Sequence, residues 1–249
     1  MVETAGAGLV AMPARGQTRR MQRLILWDID GTLVSVGEIG AQVFDRAIER
    51  ALGVRPPDRV RMSGKTDPQI VREYLQMLAI AHPEVHVPAV LQHLQAELLA
   101  AEELVRAHGR VLPGVEDLLL LLGAEESVIQ TVLTGNIAPN ALVKLASFDL
   151  DRLLDLEVGA FGSDHADRNE LVPIARERVA RLRGKRFASF EVWVVGDSEN
   201  DLACARAGGV RCLLVGTGRA GLDELRTLGA DAVLADLGDT DSVIEILRS

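Results

Sequence analysis

Asp28 and Asp30 stand two residues apart at the end of a short apolar run, Leu24-Ile25-Leu26-Trp27. The run has the length of a buried strand. Side chains alternate faces along a strand, so continued extension would put both carboxylates on one side. Gly31 lets the backbone turn sharply just beyond, where open α/β sheets place their ligands. Two carboxylates this close repel each other, and a bound cation or a shared proton relieves the repulsion. Oxygen ligands of this kind suit a hard cation such as magnesium.

Two further apolar runs end in polar groups. Ser127 to Leu133 is β-branched and of strand length, and Thr134-Gly135-Asn136 follows it. A hydroxyl and closely spaced N–H groups between a strand end and a helix start make a cradle for phosphate. Glu191 to Val195 is another buried strand, closed by Gly196-Asp197-Ser198-Glu199-Asn200-Asp201. Asp197 at that strand end is placed to complete the oxygen shell of a cation held by Asp28. Asp201, in the next helix turn, is better placed to orient the site than to bind metal. Gly216-Thr217-Gly218 lacks the Gly-Lys-Ser/Thr continuation of a nucleotide loop and reads as a turn.

The elements that must position these groups follow from periodicity. Ile39, Val43, Phe44, Ala47, Ile48, Ala51 and Leu52 recur at helical spacing, with Gly53 as a stop. A second helix is expected to begin with Asp67 as N-cap and Pro68 at its first position. A third is expected from about Pro88 to His108, where Pro83 and Pro88 keep His82 and His86 off a common metal-binding face. No strand is evident between Val36 and Gly109. Beyond Leu112-Pro113-Gly114 come helices over about Val115 to Leu122 and about Arg168 to Arg183, a weak strand at Leu154 to Gly159, strands at Val210 to Val215 and Ala232 to Ala235, and a helix at Asp241 to Leu247. Alternating strands and helices predict an α/β protein: a three-layer, Rossmann-like core with a parallel sheet. The organisation expected is a disordered tail over 1–20, a core of 21–35 and 110–249, and an inserted helical cap over 36–109.

Asp28-Ile29-Asp30-Gly31-Thr32-Leu33 after a strand, Thr134-Gly135-Asn136 about 100 residues later and Gly196-Asp197…Asp201 resemble, in order, motifs of the haloacid dehalogenase-like hydrolases. The helical insert is similar to the cap of their phosphoglycolate phosphatase-like branch. The resemblance implies a phosphatase in which Asp28 attacks phosphorus and Asp30 serves as general acid and then base. Thr134 would bind the phosphoryl group with Gly135 and Asn136, and Asp28, Asp197 and the Asp30 carbonyl would hold magnesium. The family's third motif is a lysine, sometimes an arginine, near a helix start before the last acidic motif, which selects Arg168. Arg176, Arg178 and Lys144 read instead as solvated helix charges. Met62-Ser63-Gly64-Lys65-Thr66-Asp67 resembles a cap turn that dips toward the active site, where Lys65 would meet the substrate.

Asp30 sets the chain apart from true dehalogenases, which lack a second aspartate because no alcohol leaves. Lys65, the insert's only lysine, does not lie in surroundings like those of the family's Schiff-base phosphonate hydrolases. The resemblance implies a small phosphorylated substrate, phosphoglycolate-like, with a phosphomutase of the same fold as the alternative and a non-catalytic phosphate-binding module as a more distant one. The formal net charge of −9 argues against nucleic acid or an anionic membrane as the main partner. The two cysteines, Cys204 and Cys212, read as small core residues, which fits a reducing, cytoplasmic setting. No run approaches the roughly 20 apolar residues of a membrane helix, and the oligomeric state is left open.

Overall fold

In the computed structural model, which describes residues 22–184 and 190–249, the apolar run before Asp28 forms β1 (Gln22–Trp27). The tail expected over 1–20 lies outside the described residues. After β1 come β2 (Val34–Ser35), four helices, α1 (Ile39–Leu52), α2 (Asp67–Met77), α3 (Pro83–Ala100) and α4 (Glu102–His108), and then β3 (Arg110–Val111). The chain continues through α5 (Val115–Gly123), β4 (Val128–Thr134), α6 (Ala138–Ala146), β5 (Ala160–Phe161) and α7 (Leu171–Arg183). It ends with β6 (Phe190–Gly196), α8 (Glu199–Ala207), β7 (Arg211–Val215), α9 (Leu222–Arg226), β8 (Ala232–Leu234) and α10 (Thr240–Arg248).

Six strands form one parallel sheet in the order β5-β4-β1-β6-β7-β8. Leu24 and Leu26 of β1 pack into a layer with Leu171, Val179, Leu202 and Leu225 from α7, α8 and α9. Ile25 and Trp27 point the other way, into a layer with Leu118, Leu122, Val243 and Leu247 from α5 and α10. Burial on both faces is why the run is continuously apolar instead of alternating. At about 1.5–3 kcal/mol for each large side chain buried, Leu24 to Trp27 contribute on the order of 6–12 kcal/mol. That anchors the strand end where the carboxylates sit.

The sheet order places the site. Trp27 pairs with Val132 of β4 on one side and Val195 of β6 on the other. The chain therefore leaves β1 in one direction and later returns to build the opposite half. A crevice opens outside the carboxyl ends of strands at such a switch point.

Helices α1 to α4 are an insert between β2 and β3, which pair antiparallel through Val34 and Val111. The two-residue ribbon is too short to be seen in the sequence. The insert has its own apolar packing, including the stacked rings of Phe44 and Tyr74, with centroids 6.3 Å apart.

Several elements depart from expectation. Helix α3 starts at Pro83, and Pro88 sits inside it on an exposed turn, where the unpaired Glu84 carbonyl can face water. The segment Leu154 to Gly159 is not a strand. It holds one 3₁₀ turn, Leu156–Val158, with another, Asp151–Leu153, just before it. It is tied to β4 at Asp155, whose N–H donates to the Gln130 carbonyl (2.9 Å) and whose carbonyl accepts from the Thr131 hydroxyl (2.7 Å). The edge strand is Ala160–Phe161 instead. Thr66, not Asp67, caps α2, its hydroxyl accepting from the Gln69 N–H (3.3 Å). Among the described residues, no helix is long and apolar enough to cross a membrane.

Candidate active site

Three strand ends, the turn before α7 and the insert together line one cavity of about 360 Å³ with Asp28, Asp30, Thr134, Gly135, Asn136, Asp197, Arg168 and Lys65. Asp28 continues the β1 register, its N–H donating to the Val195 carbonyl (2.9 Å). Gly31, at a φ of +86°, then folds the chain back so that its N–H donates to the Val34 carbonyl (2.8 Å). That left-handed turn is open to glycine at little cost.

Arg168 lies in a 3₁₀ turn, Arg168–Glu170, leading into α7, and it is buried. Its guanidinium meets Asp28 Oδ1 at 2.9 Å and Asp201 Oδ1 at 2.5 Å. Burial alone would loosen the arginine's proton, but Asp201 and Asp28 outweigh it and raise the pKa. The remaining Asp201 oxygen accepts from the Ser198 N–H (3.0 Å) and hydroxyl (2.6 Å), closing a capping box at the start of α8. Asp201 thus faces Arg168 and its own helix start.

Asp197 is 4% exposed and takes part in no hydrogen bond or ion pair among the described residues. Burial, then the nearby Asp201 and Asp28 charges, push its pKa up to about 8. Burial likewise raises Asp28 to about 7 against the pull of Arg168. Carboxylate oxygens of Asp28, Asp197 and Asp201 all lie within 4.8 Å of one another. An unpaired buried carboxylate is costly unless a cation or proton neutralises it. Asp197 and Asp28 therefore fit a hard divalent ion, while Asp201 already has its partners.

The turn expected to cradle phosphate, at the end of β4, is cross-linked. Asn136 Nδ2 donates to Thr134 Oγ1 (2.8 Å) and to Asp30 Oδ2 (2.7 Å). Lys144 corrects the sequence reading: it is not solvated but 8% exposed on α6, its ammonium 2.6 Å from Asp30 Oδ2 and 2.7 Å from Asn136 Oδ1. A signal for it was available. Asn140, Ala141, Lys144 and Leu145 form the buried face of α6, at the spacing of one helical stripe. The other cations set aside with Lys144 are also engaged: Arg178 pairs with Asp164 (2.6 Å), and Arg176 donates to the Gly208 carbonyl (2.7 Å).

The cap turn reaches this cradle through its backbone. The Asp67 N–H donates to the Gly135 carbonyl (2.7 Å), and Asp67 Oδ2 accepts from the Ile137 N–H (2.8 Å). A side chain at Gly135 would put its Cβ 2.0 Å from the Lys65 carbonyl oxygen. The Asp67 carboxylate, which sequence reasoning treated as a cap, is buried, and burial raises its pKa to about 7. Lys65 lines the cavity on the cap side, its ammonium 2.5 Å from Glu73. The Gly216-Thr217-Gly218 turn closes the remaining side, Thr217 Oγ1 donating to the Gly31 carbonyl (2.5 Å).

The arrangement offers a carboxylate held by a cation, a second carboxylate beside a donor-rich cradle, and an unpaired carboxylate fit for a metal. Known proteins share its framework. A family model described as haloacid dehalogenase-like hydrolase matches residues 25–206. The chain is 27% identical over 220 residues to a phosphoglycolate phosphatase of Chromobacterium violaceum, covering 87% of this chain and 94% of that one. Its fold is similar to a hydrolase from Pseudomonas syringae (TM-score 0.68, 18% identity, 92% and 100% of the two chains). It is also similar to CbbY from Rhodobacter sphaeroides, solved in complex with phosphate (TM-score 0.57, 21% identity, 88% and 96%).

Proposed function

We propose that this chain, which belongs to the haloacid dehalogenase-like hydrolase family, is a magnesium-dependent phosphatase that cleaves a small phosphomonoester through an aspartyl-phosphate. The observation that carries the reading is that Asp28, gripped by Arg168, shares one cavity with Asp30 and with the cradle of Thr134 and Asn136. Dehalogenation has no need of the second acid.

A phosphomonoester is dianionic and repels an attacking carboxylate. Arg168, the Thr134 hydroxyl and the Gly135 N–H offset that charge and stabilise the transferring phosphoryl group. Asn136, whose N–H and side-chain amide both donate to Thr134 Oγ1, holds that hydroxyl in place. Magnesium, held by Asp28, Asp197 and the Asp30 main-chain carbonyl, would supply further charge neutralisation when bound. A carboxylate oxygen of Asp28 attacks phosphorus, and the ester P–O bond breaks with its electron pair going to the leaving oxygen. Asp30 gives that oxygen a proton. Water then attacks phosphorus and gives a proton to Asp30, and the bond to Asp28 breaks with its electron pair returning to the carboxylate. Asp201 keeps Arg168 in line. The cap of α1 to α4 excludes bulk water while docked on Gly135.

The substrate class we favour is a phosphorylated small acid. Support comes from the cavity's modest volume, from Lys65 on its cap side, and from the phosphoglycolate phosphatase to which the chain is related. The two thiols, Cys204 and Cys212, are free and buried, which supports a reducing, cytoplasmic location. The test is phosphate release from a panel of small phosphomonoesters, with magnesium or chelator, for wild type and Asp28→Asn. Magnesium-dependent release that vanishes in the variant is expected. Equal activity of the variant would refute the nucleophile. A phosphoenzyme that sugar phosphates discharge without phosphate release would replace hydrolysis by phosphomutase chemistry.

A further inference from the structure

We infer that Lys144 is a positioning residue for the acid–base step: with Asn136 it fixes one oxygen of Asp30 and leaves the other turned to the reacting group. The inference rests on the phosphatase reading and adds to it a residue that none of the motifs contains. Its basis is geometric. Lys144 Nζ and Asn136 Nδ2 both reach the same oxygen, Asp30 Oδ2, at 2.6 and 2.7 Å, and Lys144 also donates to Asn136 Oδ1 at 2.7 Å. The three side chains make a closed triangle. Asp30 Oδ1 takes part in no hydrogen bond among the described residues, and the Asp30 side chain is 40% exposed where it lines the cavity. The free oxygen is therefore the one available to a leaving alcohol or an attacking water.

A packing role does not account for this placement. Burying an ammonium costs desolvation and side-chain entropy unless it gains an ionic partner. A leucine or methionine would fill the same inward position on α6 without that cost. The lysine's charge is spent on Asp30 and Asn136, and Asn136 is tied in turn to Thr134 (2.8 Å). The result is that each of the two reacting carboxylates has its own buried cation: Arg168 at Asp28 and Lys144 at Asp30. Both oxygens of an unrestrained aspartate exchange freely by rotation about its terminal torsion. Two donors on one oxygen remove that freedom and hold the acid in a near-attack geometry.

The consequence separates two steps that a general loss of phosphate binding would not. Transfer from an alkyl phosphate needs a proton delivered to the leaving oxygen, whereas 4-nitrophenolate leaves as its anion without one. The experiment is rapid-mixing kinetics on the full chain with magnesium, comparing wild type, Lys144→Met and Lys144→Arg. Methionine keeps the buried stem, and Lys144→Gln serves as a second variant should methionine fail to fold. The expected result is a nitrophenolate burst rate within about threefold of wild type for K144M. Phosphoenzyme formation from an alkyl phosphate falls by about 100-fold, the low end of a general acid's contribution. The phosphoenzyme formed in the burst then persists, because Asp30 also receives the proton of the attacking water. K144R, which keeps charge and donors, recovers most of the alkyl rate. If burst and alkyl transfer fall by one common factor, Lys144 binds phosphate or merely supports the fold, and the inference is overturned. An unchanged alkyl rate overturns it as well. Wild type that releases no phosphate from either ester would overturn the phosphatase reading beneath it.

Discussion

Substituting Gly218 by alanine is a sharp test of how the proposed metal-binding corner is built. A Cβ added there would lie 1.6 Å from Asp197 Oδ2, 2.4 Å from its Cγ and 2.7 Å from its Cβ. Turning the carboxylate aside does not clear the methyl, because the Asp197 Cβ is fixed by the end of β6. The turn carrying Gly218 must instead back away, and that strains the bond from Thr217 Oγ1 to the Gly31 carbonyl. Overpacking of this kind costs about 1–3 kcal/mol. In a chain of this size that lowers the melting temperature by roughly 2–12 °C. Displacing Asp197 or its support weakens magnesium binding about 10–100-fold, as for disturbed outer-shell partners of metal sites. Gly221 is the control, since a Cβ there meets nothing within 4 Å, and its alanine variant costs roughly 1 kcal/mol or less at an N-cap. The assay is thermal melting of wild type, G218A and G221A across a magnesium titration, which reads binding without reference to turnover. G218A that melts like wild type and takes up magnesium with the same midpoint would refute the reasoning.

Two further perturbations test the charge balance. Arg168→Met leaves Asp28 and Asp201 buried without their shared cation, which should cost about 3–5 kcal/mol and lower the melting temperature by roughly 6–20 °C. A melting temperature within 2 °C of wild type (roughly 1 kcal/mol or less by the same scaling) would show that the arginine is not what holds the pair. The second concerns pH. Burial raises Asp28 and Asp67 to about 7 and Asp197 to about 8 from an ordinary 3.8. The folded chain therefore keeps protons that the unfolded chain has released above about pH 4. Their contribution to stability is complete below pH 4, declines as pH rises toward 8, and levels beyond. Urea midpoints in chelator should fall from pH 5 to pH 9, and magnesium should flatten the fall. Midpoints that rise over that interval in chelator would contradict the assignment.

The features legible in the sequence are those written in local order. The buried runs before Asp28 and Asp197 announce parallel strands, because a strand covered on both faces is largely apolar. The run before Thr134 announces one by its β-branched residues, although Gln130 and Thr131 interrupt it. Asp28, Thr134 and Asp197 close these runs, so their places at the carboxyl ends of strands are legible from the sequence alone. Arg168 was legible only through the family resemblance, whose third motif puts a basic residue near a helix start ahead of the last acidic motif.

The tertiary structure decided what depends on pairs distant in the chain. The stripe on α6 marks Lys144 as inward-facing but not its partner, and only the fold brings it to Asp30, 114 residues away. Asp67 reads as a helix cap until the insert folds down and its carboxylate meets the Ile137 N–H. The turn at Gly218 has no chemistry of its own and gains a role because β7 lies next to β6. The ribbon of β2 and β3 is two residues long on each side, too short for any periodicity to register. Local periodicity reports which face of an element is buried, but not what lies opposite it. The partner of a buried charge is a property of the packed layers, and that is why half of this site had to be seen folded.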